Sequence, residues 1–176
     1  AKAWWRRDLD DAEELLQDVE GVLKVAVAGP WTLAAAVERP RGDRLLADHG
    51  ARRDVAQALH EGVLRLAADL ARRLPGATVS WQIDEPSLVA VRRGQIPTAS
   101  GFSKHRDVDV SELADTLAPF HDATLRCCAP GEWLDVASRS GFRSVHVDAS
   151  LVSIDALGSW VDDGHDVALG VVDTVH

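Results

Sequence analysis

The residues best able to do chemistry gather in a few short stretches, and the densest is ATLRCCAPGEW, Ala123 to Trp133. It contains the only two cysteines, Cys127 and Cys128, directly after Arg126. Adjacent cysteines close a strained ring when oxidised, which argues against a structural disulfide. Two uses stay open. Both thiols can be small core hydrophobes, as free cysteines often are, or one can serve as a metal-bound thiolate. Zinc needs three or four ligands, and the nearby candidates are one cysteine, His146 and Asp148. The last two are two positions apart and therefore share one face of an extended strand. The strong zinc spacings, paired CxxC or HExxH, are absent. A second stretch, WQIDEPSL, sets Gln82 and Asp84 on one strand face and Ile83 on the other. An acid there can hold a ligand's ammonium group. Alternatively, Asp84 or Glu85 caps the following segment, with Pro86 ending the strand.

Positioning these groups requires strands. Five short β-branched runs stand out: Leu23–Val27, Thr78–Ile83, Ala123–Cys128, Ser144–Val147 and Asp166–Val172. Helical stretches separate them. Val55, Leu59, Val63, Leu66, Leu70 and Leu74 form one stripe of an amphipathic helix that Pro75-Gly76 stops. Gly50 is expected to divide it from a shorter helix around Arg44 to His49. Further helices are expected from Ser111 to Leu117, Glu132 to Ser138 and Ile154 to Val161, with an acidic surface helix over Asp8 to Val19. Alternating strand and helix is the pattern of a parallel α/β protein, here one domain over residues 1–176. An open doubly wound sheet and a (β/α) TIM-type barrel compete. No GxGxxG follows a strand, which weakens the first as a dinucleotide site. The barrel needs eight strands and typically about 250 residues, so it would be incomplete, with about five of eight βα units.

In parallel sheets the C-terminal strand ends carry function. Here those ends read AGPWT, DEP, RCCAP, HVD and DTVH, the last being Asp173 to His176. The Gly-, Pro- and Ser-containing stretch from Arg92 to Phe102 follows the DEP strand and is either a plain connection or a lid. The remaining histidines, His49, His60, His105, His121 and His165, are expected on the surface. Trp4, Trp5 and Trp160 are expected to be packing residues.

Composition sets outer limits. The chain has 176 residues, is 46% hydrophobic, and carries a net charge of -9 with no basic block. Nucleic acid and anionic membranes are therefore poor partners, and a small-molecule ligand is the expected one. No apolar run is long enough to span a bilayer and no signal peptide opens the chain. Two adjacent cysteines without a disulfide framework point to a reducing cytoplasm. Methionine is absent and the chain starts at Ala1, which suggests a trimmed or partial polypeptide.

VAGPWTLAAAV, WQIDEPSL, RCCAP, VHVDASL and LGVVD occur in an order and spacing that resemble the cobalamin-independent methionine synthase family, nearest its short actinobacterial members, among the uroporphyrinogen decarboxylase-like barrels. The resemblance runs from about Lys24 onward, and QIDEP and the cysteine segment are its most specific parts. It implies a barrel mouth holding zinc, which would bind a substrate thiol and lower its pKa for attack on a methyl group. In that register the family's His-x-Cys pair falls on Arg126 and Cys128, and its glutamate ligand falls on Asp148. The acid that holds the substrate amino group falls on Asp84, with Glu85 beside it. The family's last cysteine lies on a strand beyond His176, and two strands would precede Leu23. Arg126 departs from the pattern, because a guanidinium has no lone pair to give a metal.

The expected metal ligands are thus Cys128 and Asp148, and the expected substrate contacts are Asp84, Glu85 and Arg126. The expected activity is methyl transfer to a thiol. The alternatives are a metal-free relative that uses Arg126 for a carboxylate or phosphate, or a decarboxylase-type relative. An incomplete barrel would leave two open sheet edges, through which copies of the chain could self-associate.

Overall fold

In a computed structural model, which describes residues 2–40 and 42–171, helices and strands alternate along the chain. α1 (Lys2–Leu16) precedes β1 (Gly21–Ala28), α2 (Pro30–Ala36), a 3₁₀ turn at Leu45–Ala47 and α3 (His49–Arg73). β2 (Ala77–Asp84) leads to α4 (Leu88–Arg92), α5 (Val110–Leu117) and a second 3₁₀ turn at Ala118–Phe120. β3 (Thr124–Arg126), α6 (Leu134–Arg139), β4 (Ser144–Asp148), α7 (Ile154–Asp162) and β5 (Asp166–Gly170) follow. Asp173 and His176 lie outside the described residues.

The five strands form one parallel sheet in the order β1-β2-β3-β4-β5. Spatial order equals chain order. A doubly wound sheet reverses direction at a switch point, and no reversal occurs here. β1 to β4 are each followed by helix that returns over the same side of the sheet. Val27, Ile83, Leu125, Val145 and Val147 face that layer and join one core with Leu88, Leu113, Leu117, Val136 and Phe142. Trp31 and Trp133 are its largest fully buried members. β1 and β5 are the edge strands. Among the described residues no helix is long and apolar enough to cross a membrane.

Several local expectations change. Gly50 lies inside α3; the break is two residues earlier, where Asp48 caps the helix by accepting from Ala51 N at 3.0 Å. A carboxylate there satisfies an otherwise unpaired N–H, which outweighs the helix cost of the glycine two residues on. α2 was not anticipated. It begins immediately after β1 with Gly29 at the N-cap and Pro30 in the first turn, where a missing N–H costs nothing. Trp4 and Trp5 are exposed on α1, at 79% and 53%, and are not packing residues. Arg73 ties α1 to α3 through Asp10, at 2.8 Å, and Glu13. Trp160 is buried as expected, against the His165 ring at 4.3 Å. His105 is partly buried, its side chain 8% exposed with Nε2 3.3 Å from Asp43 Oδ1.

The Arg92 to Phe102 stretch is a built connection. Pro97 and Lys104 pair as an antiparallel bridge, and Phe102 stands fully exposed at its tip. Asp43 and Arg44 hold it to the α2–α3 connection: Ala99 N donates to Asp43 at 2.8 Å and Arg44 Nε donates to the Pro97 carbonyl at 3.0 Å.

Candidate functional site on the open face of the sheet

Parallel strands are ordinarily covered on both faces. Here the face opposite the helices carries Lys24, Ser80, Gln82, Asp84, Thr124, Arg126, Ser144 and His146, nearly all polar. Register aligns them in rows. Ala28, Asp84, Arg126, His146 and Ala168 are successive partners across all five strands, at the C-terminal end of the sheet. Three neighbouring strands therefore deliver an acid, a cation and an imidazole side by side.

The contacts within this row are directional. Gln82 Nε2 donates to Asp84 Oδ1 at 2.7 Å, as their shared strand face requires. The Arg126 guanidinium lies 3.8 Å from the same oxygen, a loose ion pair between partly exposed groups. Among the described residues the Arg126 side chain makes no hydrogen bond, so most of its donors point to open space. His146 Nδ1 lies 3.4 Å from Gln82 Oε1. Burial, then the charges of Lys24 and Arg126, hold the His146 pKa below its usual value, against a smaller upward pull from Asp84.

Glu85, expected as a substrate contact, lies away from this face. It is wholly buried on the opposite side, and its carboxylate caps α2 across the sheet. Oε1 accepts from Trp31 N at 2.9 Å; Oε2 accepts from Thr32 N at 2.7 Å and Thr32 Oγ1 at 2.6 Å. Gly29 is required for this close approach, because a Cβ there would overlap the Glu85 carboxylate. Burial pushes the Glu85 pKa up to about 7, although all three hydrogen bonds favour the ionised form. The capping role considered for the DEP acids is thus real, but it acts on the helix after β1 and not on the segment after β2.

The cysteines divide. Cys127 is buried in the core, and burial pushes its pKa up to about 12. Cys128 is partly exposed beyond the end of β3. Asp148 ends β4, and its Oδ1 accepts from Ser150 N at 2.9 Å and Ser150 Oγ at 2.6 Å. These bonds hold its pKa below the usual carboxylate value. Among the described residues no three His, Cys, Asp or Glu side chains come together to hold a metal. Arg126 stands where the resemblance implies an imidazole, and a guanidinium has no lone pair for a metal, so zinc there would need donors beyond Cys128 and Asp148.

Sequence reasoning assigned Asp84 and Arg126 to one substrate site, put Gln82 on the Asp84 face without giving it a role, offered His146 only as a metal ligand, and passed over Lys24. Their signal was strand alternation: each lies on the Asp84 side of its own strand. Comparison of the chain with family models, curated proteins and solved structures finds no match.

Proposed function

We propose that the open sheet face binds a small amino-acid-like molecule, with Asp84 taking its ammonium group and Arg126 its carboxylate. One observation carries this reading. Asp84 and Arg126 are register partners only loosely paired at 3.8 Å, on the polar face of the sheet opposite the helices. A zwitterion inserted between them exchanges one weak contact for two charge-assisted hydrogen-bonded pairs. The sequential parallel strand order supports the setting, an arc of a (β/α) barrel with ligand chemistry at the C-terminal strand ends.

Within the resemblance to the cobalamin-independent methionine synthases, such a ligand is the thiol acceptor of a methyl group. Cys128 and Asp148, at the ends of neighbouring strands, favour that extension. A metal there needs donors beyond those two. The alternative is a metal-free site for a carboxylate or phosphate, and the unbonded Arg126 guanidinium favours it.

Titration calorimetry with L-serine and with inorganic phosphate, on the wild type, Asp84→Asn and Arg126→Ala, tests these readings. Amino-acid binding lost in both variants supports the first. Phosphate binding that needs Arg126 but not Asp84 favours the metal-free reading. Zinc content that falls with Cys128→Ser supports methyl transfer, whereas equal content in both proteins rules out that metal assignment.

A further inference from the structure

We infer that His146 is held in its Nδ1–H tautomer by Gln82 and presents Nε2 to the open face as a hydrogen-bond acceptor, so that the site prefers an amino-acid ligand whose side chain carries a proton donor. The inference rests on the amino-acid reading above. It follows from elimination along a short chain of contacts. A carboxylate only accepts, so the Gln82 group 2.7 Å from Asp84 Oδ1 is its NH₂. The Gln82 atom facing His146 is then its carbonyl oxygen, which also only accepts. A contact from Nδ1 to that oxygen requires the proton on Nδ1, and the other nitrogen of a neutral ring is left as an acceptor. Gln82 is 5% exposed and is held at both ends, so the amide cannot turn over without losing both contacts. Gln82 is a positioning residue in this scheme: it transmits the orientation of Asp84 to the imidazole on β4.

The ligand class narrows accordingly. Lys24 and Arg126 offer donors, Asp84 offers an acceptor for ammonium, and His146 Nε2 is the additional acceptor in the row. Its register partner on β5 is Ala168, which places no polar side chain beside it in the row.

Long-range ¹H–¹⁵N correlation of the histidine side chains in the full chain tests the tautomer directly. The expected spectrum at neutral pH assigns the His146 proton to Nδ1, and Gln82→Leu shifts it toward Nε2. A wild-type His146 in the Nε2–H form overturns the inference without any variant having to fold. L-serine and L-alanine are then titrated as probes. L-serine is expected to bind about tenfold tighter, the worth of one good hydrogen bond, and to move the His146 Nε2 resonance. Equal affinities, with Arg126 signals shifting for both, overturn the inference while the amino-acid reading stands. If neither probe shifts Arg126, the amino-acid reading fails, and with it the ligand preference, whatever the tautomer.

Discussion

The two faces of the sheet are written in alternate residues of the same strands, yet they obey different rules. The helix side is apolar and closed, and its buried acid, Glu85, is fully bonded to α2. The open side is polar, and its acid Asp84 pairs loosely with a cation that has donors to spare. Asp84 and Glu85 are adjacent, as are Cys127 and Cys128, and in both pairs one residue serves the core while its neighbour meets solvent. The lesson is that side-chain chemistry does not set a role here; strand parity does. Substitutions on the closed face should therefore move stability, and substitutions on the open face should move binding.

The largest expected effect is Trp31→Ala. The indole is almost wholly buried, and its Nε1 donates to the Leu113 carbonyl at 3.2 Å. Its removal opens a cavity between α2 and α5 and should cost about 3–5 kcal/mol in urea unfolding. A loss under about 1 kcal/mol would mean that the closed face is not packed as described.

Glu85 gives the next effect, and its sign is unusual for a carboxylate. Its folded pKa of about 7 lies above the ordinary 4.5, so the folded chain binds the extra proton between those values. Stability should rise as pH falls from 7 toward 4.5, by on the order of 3 kcal/mol at most. Asp43, Asp48, Asp69, Asp109 and Asp148 act oppositely, because hydrogen bonds depress each of them. Their contribution is present above the ordinary value of 3.8 and is lost below it, so the two windows do not overlap. Glu85→Gln should flatten the rise between pH 4.5 and 7; an unchanged slope in that variant would assign the rise to another group. Glu85→Ala should be worse than Glu85→Gln, since it leaves the buried Trp31 and Thr32 N–H groups unpaired at about 1–3 kcal/mol each.

Open-face changes should be milder. Arg126→Ala removes a partly exposed side chain with one loose contact, so its stability should stay within about 0.5 kcal/mol of the wild type. A larger loss would show that Arg126 supports the fold.

Much of the architecture was readable because strand and helix periods differ. The five strand runs and the α3 stripe follow from periodicity alone. What escaped was set by contacts between distant segments. Residues 30–36 form α2 because Gly29 lets the Glu85 carboxylate approach, across 54 positions of chain. No local pattern encodes that pairing. His146 was considered only as a metal ligand, because its relation to Gln82 depends on the register of β2, β3 and β4. The exposed Trp4 and Trp5 show the converse: aromatic character suggested packing, but both rings stand in solvent ahead of the Asp10 and Glu13 pairs that fasten α1 to α3.

The smallest structural disturbance, and the sharpest test of strand parity, lies in the two thiols. Cys127 is buried, and its pKa near 12 leaves almost no thiolate at neutral pH. Cys128 reaches solvent from the next position. One thiol should therefore react with a disulfide reagent in the folded chain at pH 8, and two should react after denaturation. Cys128→Ser should abolish the native reaction with a stability change within about 0.5 kcal/mol. Cys127→Ser should leave the native reaction intact while destabilising the fold by about 1–3 kcal/mol, because a hydroxyl at that position has to be buried among apolar groups. Reaction of both thiols in the folded chain would place Cys127 on the open side, and the division between the two faces would fail at the end of β3.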